Sequence, residues 1–559
     1  MTAPGSGLSV ATSANPFRDA TVGSLLDVVA ARYPEGDALV LDDERLTFAE
    51  FRRRAETLAR GLRALGIGRG DKVAIWLPNR PAWFIAQQAC ARLGAVVVAL
   101  NPRYRTHELA YILAQSDSAA LLLTDHLGSI DYLETLYDVL PDLARAAPGE
   151  LDSERFPLLR HVIVDAEDPY AGCHRLSDVR DAGAESTEAL GGSIAPDDLF
   201  TLLYTSGTTS FPKGAMISHR NCVPHGWHCG EVLGVTSEDR VLHALPAAGT
   251  WGGVNIPLTT WSHGACLVLM ETWEPQRALV LMERERITIW NAVDAMATSL
   301  LSHPHLGRHD LSRLRTGAIG ATGGGGHGLF EDVVARIGMP GVYQPYGMTE
   351  CQALCLLHEL DEPFALRIQS GIKPVPGFEA RVVDPDTGAP CPPGREGELQ
   401  ARGDLVTRGY YKKPAETAAA FTADGWFRTG DLAVQDAAGH TFFKGRLRET
   451  LRISHHMVAP AEIEAFLMSH PAVAQAFVVG VPDPETNEAP VAYVILRAGA
   501  DLAAEDLRSF CRGRIASFKI PRAVCFVRDV PRTPGPHGDK VQKGKLREQA
   551  LCELGLGRP

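Results

Sequence analysis

The sequence has no cysteine framework. Its eleven cysteines are an odd number, scattered without a CxxC pair, and the closest two are Cys351 and Cys355. A zinc-ribbon site and a disulfide-stapled secreted scaffold are therefore excluded, and a reducing cytoplasm is the expected setting. There is no uninterrupted run of 18 apolar residues, so no membrane span is expected. The first residues, Met1 to Pro16, lack the apolar centre of a signal peptide. Positive charge is in deficit: 55 Lys and Arg stand against 67 Asp and Glu, a net charge of -12. Such a chain is a poor general binder of nucleic acid. Internal repeats and low-complexity tracts are also missing.

What is present is an ordinary globular balance. The 559 residues are 45% hydrophobic and 22% charged. That length predicts several domains, or one large domain with a satellite. The charge is uneven. From Arg508 to the end there are twelve Lys and Arg against four Asp and Glu. A basic tail on an acidic chain suits a surface that meets a polyanionic small molecule.

Residues 46–65 carry apolar side chains at helical spacing, with Thr47 as cap and Gly66 after the last turn. Lys72–Pro78 then reads as a buried strand, Ala82–Leu93 as a helix and Ala95–Leu100 as a second buried strand. This alternation predicts an α/β fold with largely parallel sheet. Residues 140–197 are rich in charge, Gly and Pro and read as a loosely structured connection around one short strand, His161–Val164. Alternation resumes from about 199 to 345, with glycine densest at Gly320–Gly328. From 378 to 444 short strands with turn signals predict a β-rich subdomain. After Gly445 the order helix, strand, strand, helix predicts a small α+β unit. The expected division is 1–444 as the N-terminal domain, 445–449 as a hinge and 450–559 as a small mobile C-terminal domain.

The segment Tyr204-Thr-Ser-Gly-Thr-Thr-Ser-Phe-Pro-Lys-Gly214 follows an apolar strand and is dense in hydroxyls and glycine, with one lysine. A phosphate chain calls for such a loop. Backbone N–H groups and hydroxyls donate to its oxygens, glycine permits close approach, and lysine supplies charge. The lysine lies downstream of the hydroxyls and lacks a following Ser or Thr, so this is not the loop of P-loop NTPases.

That segment resembles the phosphate-loop signature of the ANL superfamily of adenylate-forming enzymes: acyl-CoA synthetases, peptide-synthetase adenylation domains and luciferases. The resemblance recurs in order at Tyr346-Gly-Met-Thr-Glu350, Trp426-Phe-Arg-Thr-Gly-Asp431, Gly445-Arg446, Pro460-Ala-Glu-Ile-Glu464, Phe518-Lys-Ile-Pro521, and Arg532-Thr-Pro534 with Lys540-Val-Gln-Lys543. It implies that a carboxylate attacks the α-phosphate of ATP, displacing pyrophosphate, and that coenzyme A then takes the acyl group from acyl-AMP. Lys540 would bridge the two anions. Thr349 would touch the α-phosphate, and Glu350 would hold Mg²⁺. Thr205, Ser206, Gly207, Thr208, Thr209 and Lys213 would cradle the phosphates. Asp431 would accept the ribose hydroxyls with help from Arg446, and Tyr346 would stack on adenine. His225, Ala248, Gly249, Trp251, Asp294 and Gly320 would line the acyl pocket. Arg448 would be the hinge residue, with Ser454 and His455 on the coenzyme A path.

The chain departs from the family pattern at four places. Ser210 stands where the phosphate loop has glycine. The link from Arg532-Thr533-Pro534 to Lys540 is longer, through Gly535–Asp539. Ser454-His-His-Met457 replaces a Gly-Gly segment. Ala248 and Gly249 replace larger residues, which enlarges the acyl pocket. The implied function is an acyl-CoA ligase for a bulky, non-standard carboxylic acid, using ATP or acyl-AMP, coenzyme A and Mg²⁺. The first two departures weaken the ATP step and the third bears on the coenzyme A step; together they suggest specialisation, as in a thioester-forming chain fed with acyl-AMP by a homologous adenylating ligase. The alternatives are a stand-alone enzyme loading a carrier protein and an eroded nucleotide-binding homologue.

Overall fold

The structure is a computed structural model describing residues 15–187, 189–190, 192–205, 212–320, 327–453, 456–512, 514–533 and 540–556. Within it, two sheets carry the N-terminal part. One has the strand order Lys213–Ser218, Leu199–Thr205, Val96–Ala99, Lys72–Trp76, Ser118–Thr124, His161–Asp165, His174–Arg175. It is parallel except for the hairpin joining Leu199–Thr205 to Lys213–Ser218. The other is centred on Arg240–His243, Cys266–Leu269, Ile289–Trp290 and Thr316–Gly320, all parallel. Parallel strands need covered faces. The helix Pro81–Leu93 supplies one cover and is almost wholly buried, with Trp83 and Phe84 in the main core.

The helix Phe48–Ala64 starts at Thr47, whose hydroxyl accepts from Glu50 N–H at 3.2 Å, as the sequence predicts. The stretch 140–197 differs from its expectation. It contains the helix Leu176–Glu185, which packs on Phe48–Ala64. Leu176, Val179 and Gly183 form its buried stripe, and the charged residues between them hid the period. The two helices meet through glycine. A Cβ on Gly61 would lie 2.0 Å from Val179 O, and one on Gly183 would lie 2.0 Å from Thr57 O.

A third sheet is antiparallel and runs Leu356–Leu357, Gly371–Pro374, Thr441–Arg446, Phe427–Gln435, Glu396–Arg402, Glu379–Val383. This is the β-rich subdomain. The small C-terminal domain has its own sheet, built on the long hairpin Val473–Asp483 with Asn487–Leu496, and its own core around Ile463, Leu467, Val478 and Leu507. The architecture is the mixed α/β class with a small C-terminal domain read from the sequence. No helix among the described residues is long and apolar enough to cross a membrane.

Candidate active site

The hairpin that holds the hydroxyl-rich loop is in register to its end: Thr205 pairs with Lys213. Ser206, Gly207, Thr208, Thr209 and Ser210 lie outside the described residues. Lys213 emerges beside the ring of Tyr410, with Nζ 5.2 Å from its centroid. The hydroxyl of Tyr410 donates to Glu350 Oε1 at 3.0 Å. Glu350 is buried, in a short 3-10 turn Thr349–Cys351, and its carbonyl accepts from Thr407 N–H at 2.7 Å. Burial pushes its carboxyl above the ordinary range, against the pull of its own backbone, Tyr410, Arg446 and Lys213. Lys213 and Arg446 thus lie close enough to Glu350 for their charges to act on its carboxyl, and Thr349 precedes it in the same turn.

Asp431 and Arg446 face each other across adjacent strands of the third sheet. Arg446 Nη1 lies 2.8 Å from Asp431 Oδ1. Asp431 Oδ2 accepts from the Tyr346 hydroxyl at 2.6 Å. The Tyr346 ring is buried and packs on Phe443, with centroids 5.4 Å apart and an interplanar angle of 31°. Burial raises the Asp431 carboxyl, while Arg446 and the Tyr346 hydroxyl oppose the shift. Although the guanidinium is close, Asp431 Oδ1 is buried with no aligned hydrogen-bond donor. A carboxylate oxygen with unspent acceptor capacity suits a ribose diol, which brings two donors. The donor set also fits Mg²⁺. Among the described residues Glu350 accepts a side-chain hydrogen bond at Oε1, and Mg²⁺ is commonly held by one or two carboxylates plus phosphate oxygens.

Several pocket residues predicted from sequence come together. Residues 245–255 turn into a π-helix, Trp251–Asn255, a geometry frequent at functional sites. The Trp251 ring lies against Gly320, where a Cβ would sit 3.2 Å from Trp251 Cζ3. Its indole N–H is buried and unpartnered. Val293 pairs with Gly320, which puts Asp294 at the same strand end, its Oδ1 accepting from Ala295 N–H at 2.8 Å. Ala248 is half-buried against the core and Gly249 is buried. His225 sits deeper, its Nε2 at 3.2 Å from both Gln352 O and Asn255 Nδ2, and burial pushes its pKa down to about 3.

Arg448 lies in the turn Leu447–Glu449, 3.6 Å from Glu449. Lys540 begins the two-residue strand Lys540–Val541, paired with Arg532–Thr533, and its side chain lies outside the described structure. Residues 535–539, Ser454 and His455 also lie outside it. Much of the basic tail is spent on ion pairs within its own domain: Lys519 with Glu462, Arg522 with Asp483, Arg547 with Glu488, and Arg508 and Arg512 with Glu505. Sequence reasoning missed Tyr410 and Phe443. The tyrosine pair after Gly409, in Arg408-Gly-Tyr-Tyr411, was the available signal for the first.

Fold and site define an adenylate-forming enzyme. The profile of the AMP-binding enzyme family matches residues 26–411, and that of the AMP-binding enzyme C-terminal domain matches residues 462–535. YngI of Bacillus subtilis (strain 168), named as an acyl-CoA synthetase, is 36% identical over 537 residues, covering 95% of this chain and 97% of its own. The medium-chain acyl-CoA ligase ACSF2 of Danio rerio is 33% identical, covering 97% of this chain and 90% of its own. The anthranilate CoA ligase AuaEII, solved with anthranoyl-AMP, superposes with a TM-score of 0.85 at 25% identity, covering 98% and 100%. The chain belongs to the AMP-binding enzyme family and is an acid–thiol ligase of the acyl-CoA synthetase type.

Proposed function

We propose that this ligase joins a bulky carboxylic acid to coenzyme A through an acyl-adenylate. The observation that carries the reading is the Tyr346–Asp431–Arg446 group, whose buried carboxylate accepts from Tyr346 and pairs with Arg446, next to Lys213 and Glu350. Asp431 accepts the ribose hydroxyls, which fixes the α-phosphate near Thr349. Thr205 and Lys213, with Ser206 to Thr209, hold the phosphates. Lys540 brings the substrate carboxylate to the phosphorus. One carboxylate oxygen bonds to the α-phosphorus as the bond to pyrophosphate breaks. The thiolate of coenzyme A then attacks the acyl carbon, and AMP leaves with that oxygen. Mg²⁺, held by Glu350, would neutralise charge on the departing phosphates.

Ala248 and Gly249 open the acyl pocket, while Trp251 over Gly320 forms a wall of it. His225 and Asp294 act from behind this wall. The hinge is residues 445–449, turning on Arg448 between domains 1–444 and 450–559, with Ser454 and His455 on the coenzyme A path. Ser210 and the lengthened 535–539 segment slow the ATP step relative to the thioester step. A homologous adenylating ligase supplying acyl-AMP is the limiting case. The test supplies acid, ATP and Mg²⁺ in one arm and preformed acyl-AMP with coenzyme A in the other. Pyrophosphate release should be the slower rate. Brisk adenylation by the unmodified protein would restore an ordinary, balanced two-step ligase.

A further inference from the structure

Glu464 is a buried carboxylate inside the C-terminal domain, and the chemistry described above does not use it. It projects from the helix Pro460–Met468, whose buried face is Pro460, Ile463, Glu464 and Leu467. A carboxylate among apolar residues needs strong partners. Glu464 Oε1 has two. It accepts from Val478 N–H at 2.7 Å and from Lys543 Nζ at 2.6 Å. Val478 lies in Val473–Asp483, the strand at the edge of the domain's sheet among the described residues, so the carboxylate serves an N–H that no neighbouring strand takes. Burial raises the Glu464 carboxyl, while Lys543 and the Val478 N–H oppose the shift.

Lys543 opens the helix Lys543–Glu553 and follows Lys540 by three positions. The two α-carbons are therefore at most about 11 Å apart. Gln542 gives the helix no side-chain cap. Its N–H donates to Pro531 O at 2.8 Å, and its side-chain amide donates to the Thr533 hydroxyl. The partner strand of Lys540–Val541 is Arg532–Thr533. Arg532 donates to Gln475 Oε1 at 3.1 Å, and its guanidinium lies 5.8 Å from the centre of the Phe477 ring. The segment that carries Lys540 is thus fastened twice to the strand Val473–Asp483. One fastening runs through Arg532 to Gln475 and Phe477. The other runs through Lys543 and Glu464 to Val478. The second is sheltered, with the Lys543 and Glu464 side chains 21% and 5% exposed, and an ion pair keeps its strength there. The other carboxylate near Lys543, Glu449, is farther away at 3.8 Å.

We propose that Glu464 is a positioning residue for adenylation, which through Lys543 fixes the segment that carries Lys540. The inference rests on the ligase reading above, in which Lys540 acts before acyl-AMP exists. A misplacement of about 1 Å in such a group can cost about a hundredfold in rate. Loss of the pair falls on the ATP step and spares the thioester step.

The test uses the full chain and Glu464→Gln, which keeps an acceptor for Val478 N–H and removes the charge facing Lys543. The acid is the best of a panel of octanoate, benzoate and anthranilate. Pyrophosphate–ATP exchange should fall by about tenfold or more in kcat, with KM for ATP and affinity for AMP within about twofold. Thioester formation from the matching preformed acyl-AMP should stay within about threefold of wild type. Lys543→Met should give the same split, and Lys543→Arg should restore most of the exchange. The double variant Glu464→Gln with Lys543→Met should lose no more than either single one, because both remove one contact. Amide hydrogen exchange across residues 540–546 should quicken in Glu464→Gln and in Lys543→Met. Equal loss of both half-reactions overturns the proposal and makes the pair a general support of the domain. Unchanged pyrophosphate exchange overturns it, and so does unchanged hydrogen exchange at 540–546. A wild-type protein that exchanges pyrophosphate with no acid of the panel also overturns it, by removing the ATP step, and the hydrogen exchange then tells a failed ligase reading from a failed anchor.

Discussion

Tyr346 donates its hydroxyl hydrogen to Asp431 Oδ2 at 2.6 Å, and both side chains are buried. A hydrogen bond to a buried carboxylate is worth about 1.5–3 kcal/mol. Tyr346→Phe should therefore weaken AMP binding by about tenfold or more, because Asp431 loses the donor that orients it. The ring packing on Phe443 is kept, so the fall in melting temperature should be no larger than the loss of this one bond accounts for. Calorimetric titration with AMP measures the effect. Unchanged affinity would remove Asp431 from the ribose site.

The wall between Trp251 and Gly320 should control acyl selectivity. A Cβ at Gly320 meets Trp251 Cζ3 at 3.2 Å, so Gly320→Ala must push the indole by a few tenths of an ångström. The ratio of kcat/KM between large and small acids should shift by about fivefold, with AMP affinity unchanged. Gly249→Phe should act more strongly and select against the bulky acid. Equal loss for every acid would reject the pocket assignment.

Acid should destabilise the N-terminal part through its buried histidines. Burial pushes His225 and His243 down to about 3, and neither His243 ring nitrogen has a partner. Both rings stay neutral in the folded protein, while the unfolded chain binds protons below its ordinary pKa of about 6.5. Stability is thus fully present above about pH 7. Each ring removes about 1.4 kcal/mol per pH unit as pH falls from about 6.5 towards 3. The melting temperature should drop between pH 7 and pH 5, and His243→Leu should flatten that drop. A slope untouched by His243→Leu would mean that this ring is not the titrating group.

Glycine at the interface of helices Phe48–Ala64 and Leu176–Glu185 has a sharp stability signature. Gly61→Ala drives a Cβ to 2.0 Å from Val179 O, a backbone atom that cannot swing aside. The cost should be about 3 kcal/mol. Gly68→Ala, with nothing within 4 Å of the new Cβ, should cost under about 0.5 kcal/mol. Paired denaturant curves measure both, and similar midpoints would contradict the close helix contact.

What could be read in advance depended on whether a signal was local. Thr47 as a cap and the strand Lys72–Trp76 follow from adjacent residues, and both were legible. Glu350, Asp431 and Arg446 were named from their motifs, and the structure pairs Asp431 with Arg446 at 2.8 Å. The helix Leu176–Glu185 was not legible, since its buried stripe uses a glycine that counts as apolar only when another backbone lies against it. Tyr410 was missed for a similar reason. Its partner Glu350 is 60 residues away in sequence, and no spacing rule connects them.

The acyl-adenylate itself is tested by oxygen transfer. The acid is supplied with both carboxylate oxygens as ¹⁸O, together with ATP, Mg²⁺ and coenzyme A, and the products are read by mass spectrometry. If the carboxylate held opposite Asp431-bound nucleotide attacks the α-phosphorus, one labelled oxygen should appear in AMP and the other in the thioester, with none in pyrophosphate. Label in pyrophosphate or orthophosphate, or thioester formed alongside unlabelled AMP, would contradict it.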